Sequence, residues 1–439
     1  MRPAKTPFLA VRDLASRLDG KATDYDALLA MTQGKRYVLL GEATHGTQDF
    51  YRMRAEITRR LIAEQGFDAV AIEGDWPDAW RVNRFVQGES TDDPASALGD
   101  FARFPQWMWR NSEVLDFITW LRRFNARTDI PRRVGFYGLD LYSLYRSADA
   151  VIHYLDRVDP DAAQIARGRY AALDHVRDAQ VYGYQAAFGQ RPAAREGAVA
   201  QLLQLRAEAE GYLERNGLTA IDAHFFAERN AQVVISAETY YRTMFGGRAD
   251  TWNLRDAHMR DTVLALAAYR ARRGGSGRIV VWAHNSHLGD ARATESHWRG
   301  ECNLGQLMRE ETGEKTLLVG FTTYTGYVSA ASEWDGEVEH KRVLPALRDS
   351  YEHLFHTTGL DRFFLPLGDG GADALRESML QRAIGVLYRP QTERASHYLE
   401  ASLAQQFDAI FHLDETAALE PLEASPQWRR QLDTVEQTL

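Results

Sequence analysis

The sequence predicts an α/β protein: a mainly parallel sheet covered by helices, with a large helical insertion over the carboxyl edge of the strands. Three observations predict it. Short apolar runs rich in β-favouring residues alternate with stretches of helical periodicity. Several of those runs end in a carboxylate or a histidine at a turn. From Ser143 to Arg273 the strand pattern stops, and Leu, Ala, Arg, Glu and Gln recur at helical spacing. On this reading residues 1–142 are the first part of the α/β core, 143–273 the helical insertion serving as lid and substrate region, and 274–439 the second part of the core.

Residues 8–31 read as one or two helices leading to the first strand. That strand is the start of Tyr37-Val-Leu-Leu-Gly-Glu-Ala-Thr-His-Gly46, in which Glu42 and His45 follow four apolar residues and Gly46 closes the turn. Phe50, Met53, Ile57 and Leu61 then mark a helix, with Thr47 as its cap and Asp49 at the positive end of its dipole. A second strand, 67–73, ends in Glu73-Gly-Asp-Trp-Pro77. Helices at 78–87 and from Phe104-Pro-Gln-Trp-Met-Trp-Arg-Asn111 to about Asn125 precede a third strand, 133–140, ending in Asp140. After the insertion come Arg278-Ile-Val-Val-Trp-Ala283, followed by His284-Asn-Ser-His287, and then strands at 315–321, 383–387 and 407–412.

With 45% hydrophobic and 26% charged residues, the chain of 439 can bury a substantial core. A net charge of −9 without a basic stripe argues against a nucleic-acid partner. No apolar run reaches membrane-spanning length, and the first seven residues lack the apolar core of a signal peptide. The single cysteine, Cys302, excludes an intrachain disulfide and fits a reducing cytoplasm. The expectation is a cytoplasmic protein acting on a small molecule, without nucleic-acid or membrane partners. Oligomeric state has no signature in the sequence.

Parallel strands bring their carboxyl ends to one edge, where open α/β sheets bind ligands. That edge would gather Glu42, His45, Glu73, Asp140, His284 and His287, with Arg54 within reach on the first helix. Such a set suits general-base hydrolysis, with a His taking a proton from water and an Arg stabilising the oxyanion. It also suits a zinc or iron site, or a structural ion-pair network. No Gly-x-Ser-x-Gly elbow, His-Glu-x-x-His helix or phosphate-binding Gly-rich loop is present. Trp76, Trp107 and Trp109 are candidates for an apolar substrate wall, with core packing as the alternative.

Gly-Glu-Ala-Thr-His-Gly (41–46), Ile-Glu-Gly-Asp-Trp (72–76) and Trp-Ala-His-Asn-Ser-His (282–287) together resemble the erythromycin esterase family. Asn303-Leu-Gly-Gln306, Gly320-Phe-Thr-Thr-Tyr324 and Glu393-Arg-Ala-Ser-His-Tyr398 resemble its broader branch, labelled esterase-like or linked to succinoglycan synthesis. The resemblance implies a carboxylic ester hydrolase that opens a lactone or bulky acyl ester with activated water. It implies His45 as general base and Glu73 as its partner, with Glu42, Arg54 and His284 completing the catalytic set. His287 and Asp140 join the tryptophans as substrate-side residues. The resemblance further implies no obligatory metal or other cofactor. Two alternatives stand beside it: a metal-dependent hydrolase using the same His/Glu cluster, and a non-catalytic protein binding a small ligand or haem.

Overall fold

The computed structural model describes residues 6–173, 178–216, 218–368 and 372–436. Its strands are β1 (Ser16–Arg17), β2 (Tyr37–Leu40), β3 (Ala69–Asp75), β4 (Gly135–Asp140), β5 (Ile279–Trp282), β6 (Thr316–Ala330), β7 (Glu339–Val343), β8 (Arg362–Pro366), β9 (Met379–Arg382), β10 (Tyr398–Ala401) and β11 (Ala409–Thr416). The main sheet runs β1-β8-β11-β6-β2-β5-β3-β4, with β7 paired to β6. From β11 to β4 every pairing is parallel. β1, β8 and β7 add antiparallel edges. This is the mainly parallel, helix-covered sheet that the sequence predicts.

Alternation at period two builds both layers. Val38, Leu40, Val70, Ile72, Val280 and Trp282 enter one core, beneath the Gln48–Gln65 and Ser112–Asn125 helices. Tyr37, Leu39, Ala69, Ala71, Ile279 and Val281 enter the other, beneath the Arg248–Arg272 and Leu304–Thr312 helices. Phe50, Met53, Ile57 and Leu61 are all buried, as their spacing requires.

Among the described residues every element between Leu144 and Arg272 is helical, and most of this segment packs around its own core of Leu144, Val151, Leu205 and Val234. Its last helix, Arg248–Arg272, has two surroundings. Met259, Val263 and Leu266 lie on the sheet, whereas Arg248, Trp252 and Arg255 project beyond the strand ends.

Two local expectations are corrected. The strand expected at 383–387 lies earlier, at Met379–Arg382, in a two-stranded hairpin with β10. Residues 383–387 instead cross the end of β2, where Ile384 and Leu387 make only isolated bridges to Thr44 and Ala331. Thr47 stands at the helix N-cap but its hydroxyl meets Thr44, and Asp49 accepts from Ala417 N–H at 2.8 Å.

Candidate active site

The turn after β2 is fixed by space rather than by unusual backbone angles. A Cβ on Gly46 would lie 1.8 Å from the Ser329 carbonyl oxygen, and the Gly46 carbonyl accepts from Ser329 and Leu419 N–H. Only glycine admits that approach. The turn holds a three-member chain. His45 Nδ1–H donates to Glu42 Oε1 at 2.8 Å, and Arg54 Nη2 donates to Glu42 Oε2 at 2.6 Å. Glu42 and Arg54 are fully buried, while His45 faces a cleft. The bond to Glu42 occupies Nδ1 and leaves Nε2 as the ring nitrogen free to act.

The sheet order sets β2, β5, β3 and β4 side by side, so His45, His284, Glu73 and Asp140 follow one another along the edge. Glu73 accepts from Arg255 Nη2 at 2.8 Å and from His284 N–H at 2.9 Å, and Trp109 Nε1 donates to its carbonyl at 3.0 Å. Burial alone would raise the Glu73 pKa. Its neighbours His287 and Arg255, with the His284 N–H, hold it well below the usual carboxylate range. Asp140 is lowered likewise: burial opposes ionisation, but Arg255 binds it through Nε at 2.9 Å and Nη2 at 2.6 Å.

His284 is a neutral ring. Burial lowers its pKa to about 3, with the nearby His45 adding to the effect. Its Nδ1 accepts from Ser286 N–H at 3.2 Å, and Nε2–H donates to the Ile384 carbonyl at 3.2 Å. His287 differs. Its Nδ1–H donates to both Asp256 oxygens at 2.9 Å, Trp252 stacks on it at 4.4 Å, and Arg255 Nη1 lies 3.0 Å from Nε2. Burial lowers its pKa, but Asp256 and Glu73 outweigh this and the net shift is upward.

These groups line a cleft of about 740 Å³. Phe101, Met108 and Trp109 form one apolar wall, and Phe104 meets Trp334 at the mouth with ring centroids 5.0 Å apart. Asp75 and Asp78 face the same space. Burial raises the Asp78 carboxyl to about 8, reinforced by the charge of Asp75 and opposed by Arg146. Among the described residues no group of three His, Cys, Asp or Glu side chains is disposed to hold a metal ion.

The structure brings His45, Glu73, Asp140, His284, His287 and Trp109 to the cleft. It sets Glu42 and Arg54 behind His45, with the Arg54 side chain fully buried against Glu42 and outside the cleft lining. It also gives His45 Glu42, not Glu73, as its hydrogen-bonded carboxylate. Trp76 and Trp107 do not line the cleft. Trp76 belongs to the opposite core, stacked on Tyr137 and Phe226, and Trp107 packs in the core beneath the Ser112–Asn125 helix. Sequence reasoning missed Trp252, Arg255 and Asp256. Polar residues on a long helix ordinarily face solvent, and nothing local marks these three as part of the site.

The fold and edge together define an α/β protein with a histidine–carboxylate cleft at the ends of parallel strands. The family model for erythromycin esterase matches residues 62–416, and the chain belongs to that family. Glu42, His45 and Arg54 precede the matched span, so their placement rests on geometry. Erythromycin esterase type II of Escherichia coli is 21% identical over 427 residues, covering 92% of this chain and 94% of its own. A protein of known structure from Bacillus cereus superposes with a TM-score of 0.79 at 21% identity, covering 96% of this chain and 100% of its own. A mutant erythromycin esterase in an open conformation gives 0.65 at 19%, covering 93% and 96%. Family membership supports hydrolase activity. No helix among the described residues is long and apolar enough to cross a membrane.

Proposed function

We propose that the cleft hydrolyses a carboxylic ester, a lactone or bulky acyl ester, with water activated at His45. The observation that carries this reading is a cleft-facing imidazole whose Nδ1 is tied to a buried carboxylate. Nε2 takes a proton from water as the oxygen adds to the ester carbonyl carbon. Glu42 stabilises the resulting imidazolium, and Arg54 balances Glu42. When the carbon–oxygen bond of the tetrahedral intermediate breaks, His45 returns the proton to the departing alkoxide. Arg255 lines the cleft, bonded to Glu73 and Asp140 at the strand ends, and replaces Arg54 as the candidate for the developing oxyanion. The cleft volume suits a bulky substrate, and kinship with erythromycin esterases makes a macrolactone the first ester to try.

The test uses macrolides, simple lactones and aryl esters with purified protein. His45→Asn lowers turnover on the order of 10²-fold or more, the scale of a positioned general base. Exhaustively chelated wild type keeps its rate, with metal content checked by elemental analysis. Activity that tracks bound metal one for one, or a trapped acyl-enzyme, overturns the proposal.

A further inference from the structure

We infer that Tyr51 and Trp282 are positioning residues, their ring faces holding the Arg54 guanidinium against Glu42 and thereby fixing the His45 ring. The inference rests on His45 as the base. The Arg54 side chain has no exposure, and among the described residues its hydrogen bond to a carboxylate is Nη2 to Glu42 at 2.6 Å. Nε and Nη1 have no hydrogen-bond partner among the described residues. A buried cation held by that hydrogen bond needs further compensation, and the bond alone leaves the planar group free to pivot.

The rings supply both. The guanidinium carbon lies 4.3 Å from the Tyr51 ring centroid and 5.3 Å from that of Trp282. The negative faces of aromatic rings attract cations most strongly where water is excluded. The rings are themselves held. Trp282 Nε1 donates to Thr58 Oγ1 at 2.9 Å and packs on Phe117 at 4.8 Å. Tyr51 lies edge-on to Trp109 at 6.1 Å, the residue whose indole N–H holds the Glu73 carbonyl. One aromatic layer therefore stands behind both the His45 and Glu73 sides of the cleft. The Tyr51 hydroxyl is buried beside the same guanidinium, so a series built on phenylalanine isolates what the ring face contributes.

The test replaces Tyr51 with phenylalanine and then with mono-, di- and trifluorophenylalanine, which weaken the ring face while nearly preserving volume. p-Nitrophenyl acetate hydrolysis is the readout. Tyr51→Phe sets the baseline, and successive fluorination lowers kcat from it by a total on the order of tenfold with KM unchanged. A kcat that stays flat across the series overturns the inference. His45→Asn in the same assay separates the two readings: turnover surviving that change removes the base. In that case, or if wild type does not turn over this ester, a double-mutant cycle between Tyr51→Leu and Arg54→Met decides, read by thermal unfolding. Absence of coupling there overturns the inference, and favourable coupling supports it.

Discussion

Two carboxylates beside His45 have different work, and substitution separates them. Glu42→Gln removes the charge that faces the imidazolium, so kcat falls on the order of 10²-fold while KM holds. Glu73→Gln disturbs the seat of Arg255 and the His284 N–H, so kcat and KM change together. Steady-state kinetics of the two variants distinguish these outcomes, and identical profiles count against the assignment. Asp78 offers a separate test through pH. Its carboxyl is raised to about 8 by burial first, against an ordinary unfolded value of about 3.9. The folded state therefore holds a proton that the unfolded chain has lost, and stability falls as pH rises from about 4 through 8. Asp78→Asn lacks this loss. Its melting temperature relative to wild type should climb between pH 4 and pH 9, and a constant difference would contradict the burial argument.

The same contrast decides what the chain discloses at the level of elements. β2, β3, β4 and β5 are legible because buried parallel strands are continuous apolar runs, and their end residues must meet at one edge. Glu42, His45, Glu73, Asp140, His284 and His287 are found this way. Antiparallel strands at the margins of the sheet, such as Arg362–Pro366 and Glu339–Val343, are short and carry charge or proline, so no alternation announces them. The roles of the catalytic-set residues were less legible than their positions. Proximity in sequence pairs His45 with Glu42 across one turn, whereas the strand-end argument alone cannot rank Glu42 above Glu73. Arg255 was hidden because its partners, Glu73 and Asp140, lie more than a hundred residues away. Its planar fork reaches both carboxylates at once, which an ammonium cannot reproduce. Arg255→Lys should therefore lower kcat/KM by about tenfold or more despite the retained charge; wild-type kinetics would remove the fork from the mechanism. Gly46→Ala tests the turn itself. A methyl 1.8 Å from the Ser329 carbonyl oxygen forces the turn away from the far end of β6, so soluble yield and melting temperature both fall. A variant as stable as wild type would show the approach to be adjustable.

Across the whole molecule, the edge is braced by segments distant in sequence. Ser329 N–H and Leu419 N–H converge on the Gly46 carbonyl, and Trp428 Nε1 donates to Ser329 Oγ at 2.8 Å. Trp428→Ala should cost about 3–5 kcal/mol, the usual range for a buried tryptophan, and lower kcat as the turn loosens. Unfolding curves and turnover on the same preparation check the pair, and an unchanged kcat would confine Trp428 to stability. The bracing of Gly46 also has a consequence for biosynthesis. The motif that carries the proposed base is synthesised well before either of the groups that pin its turn, Ser329 N–H and Leu419 N–H. A ribosome-bound chain would hold His45 without the backbone that fixes it. The proposed base would therefore gain its fixed seat only once Leu419 has left the ribosome.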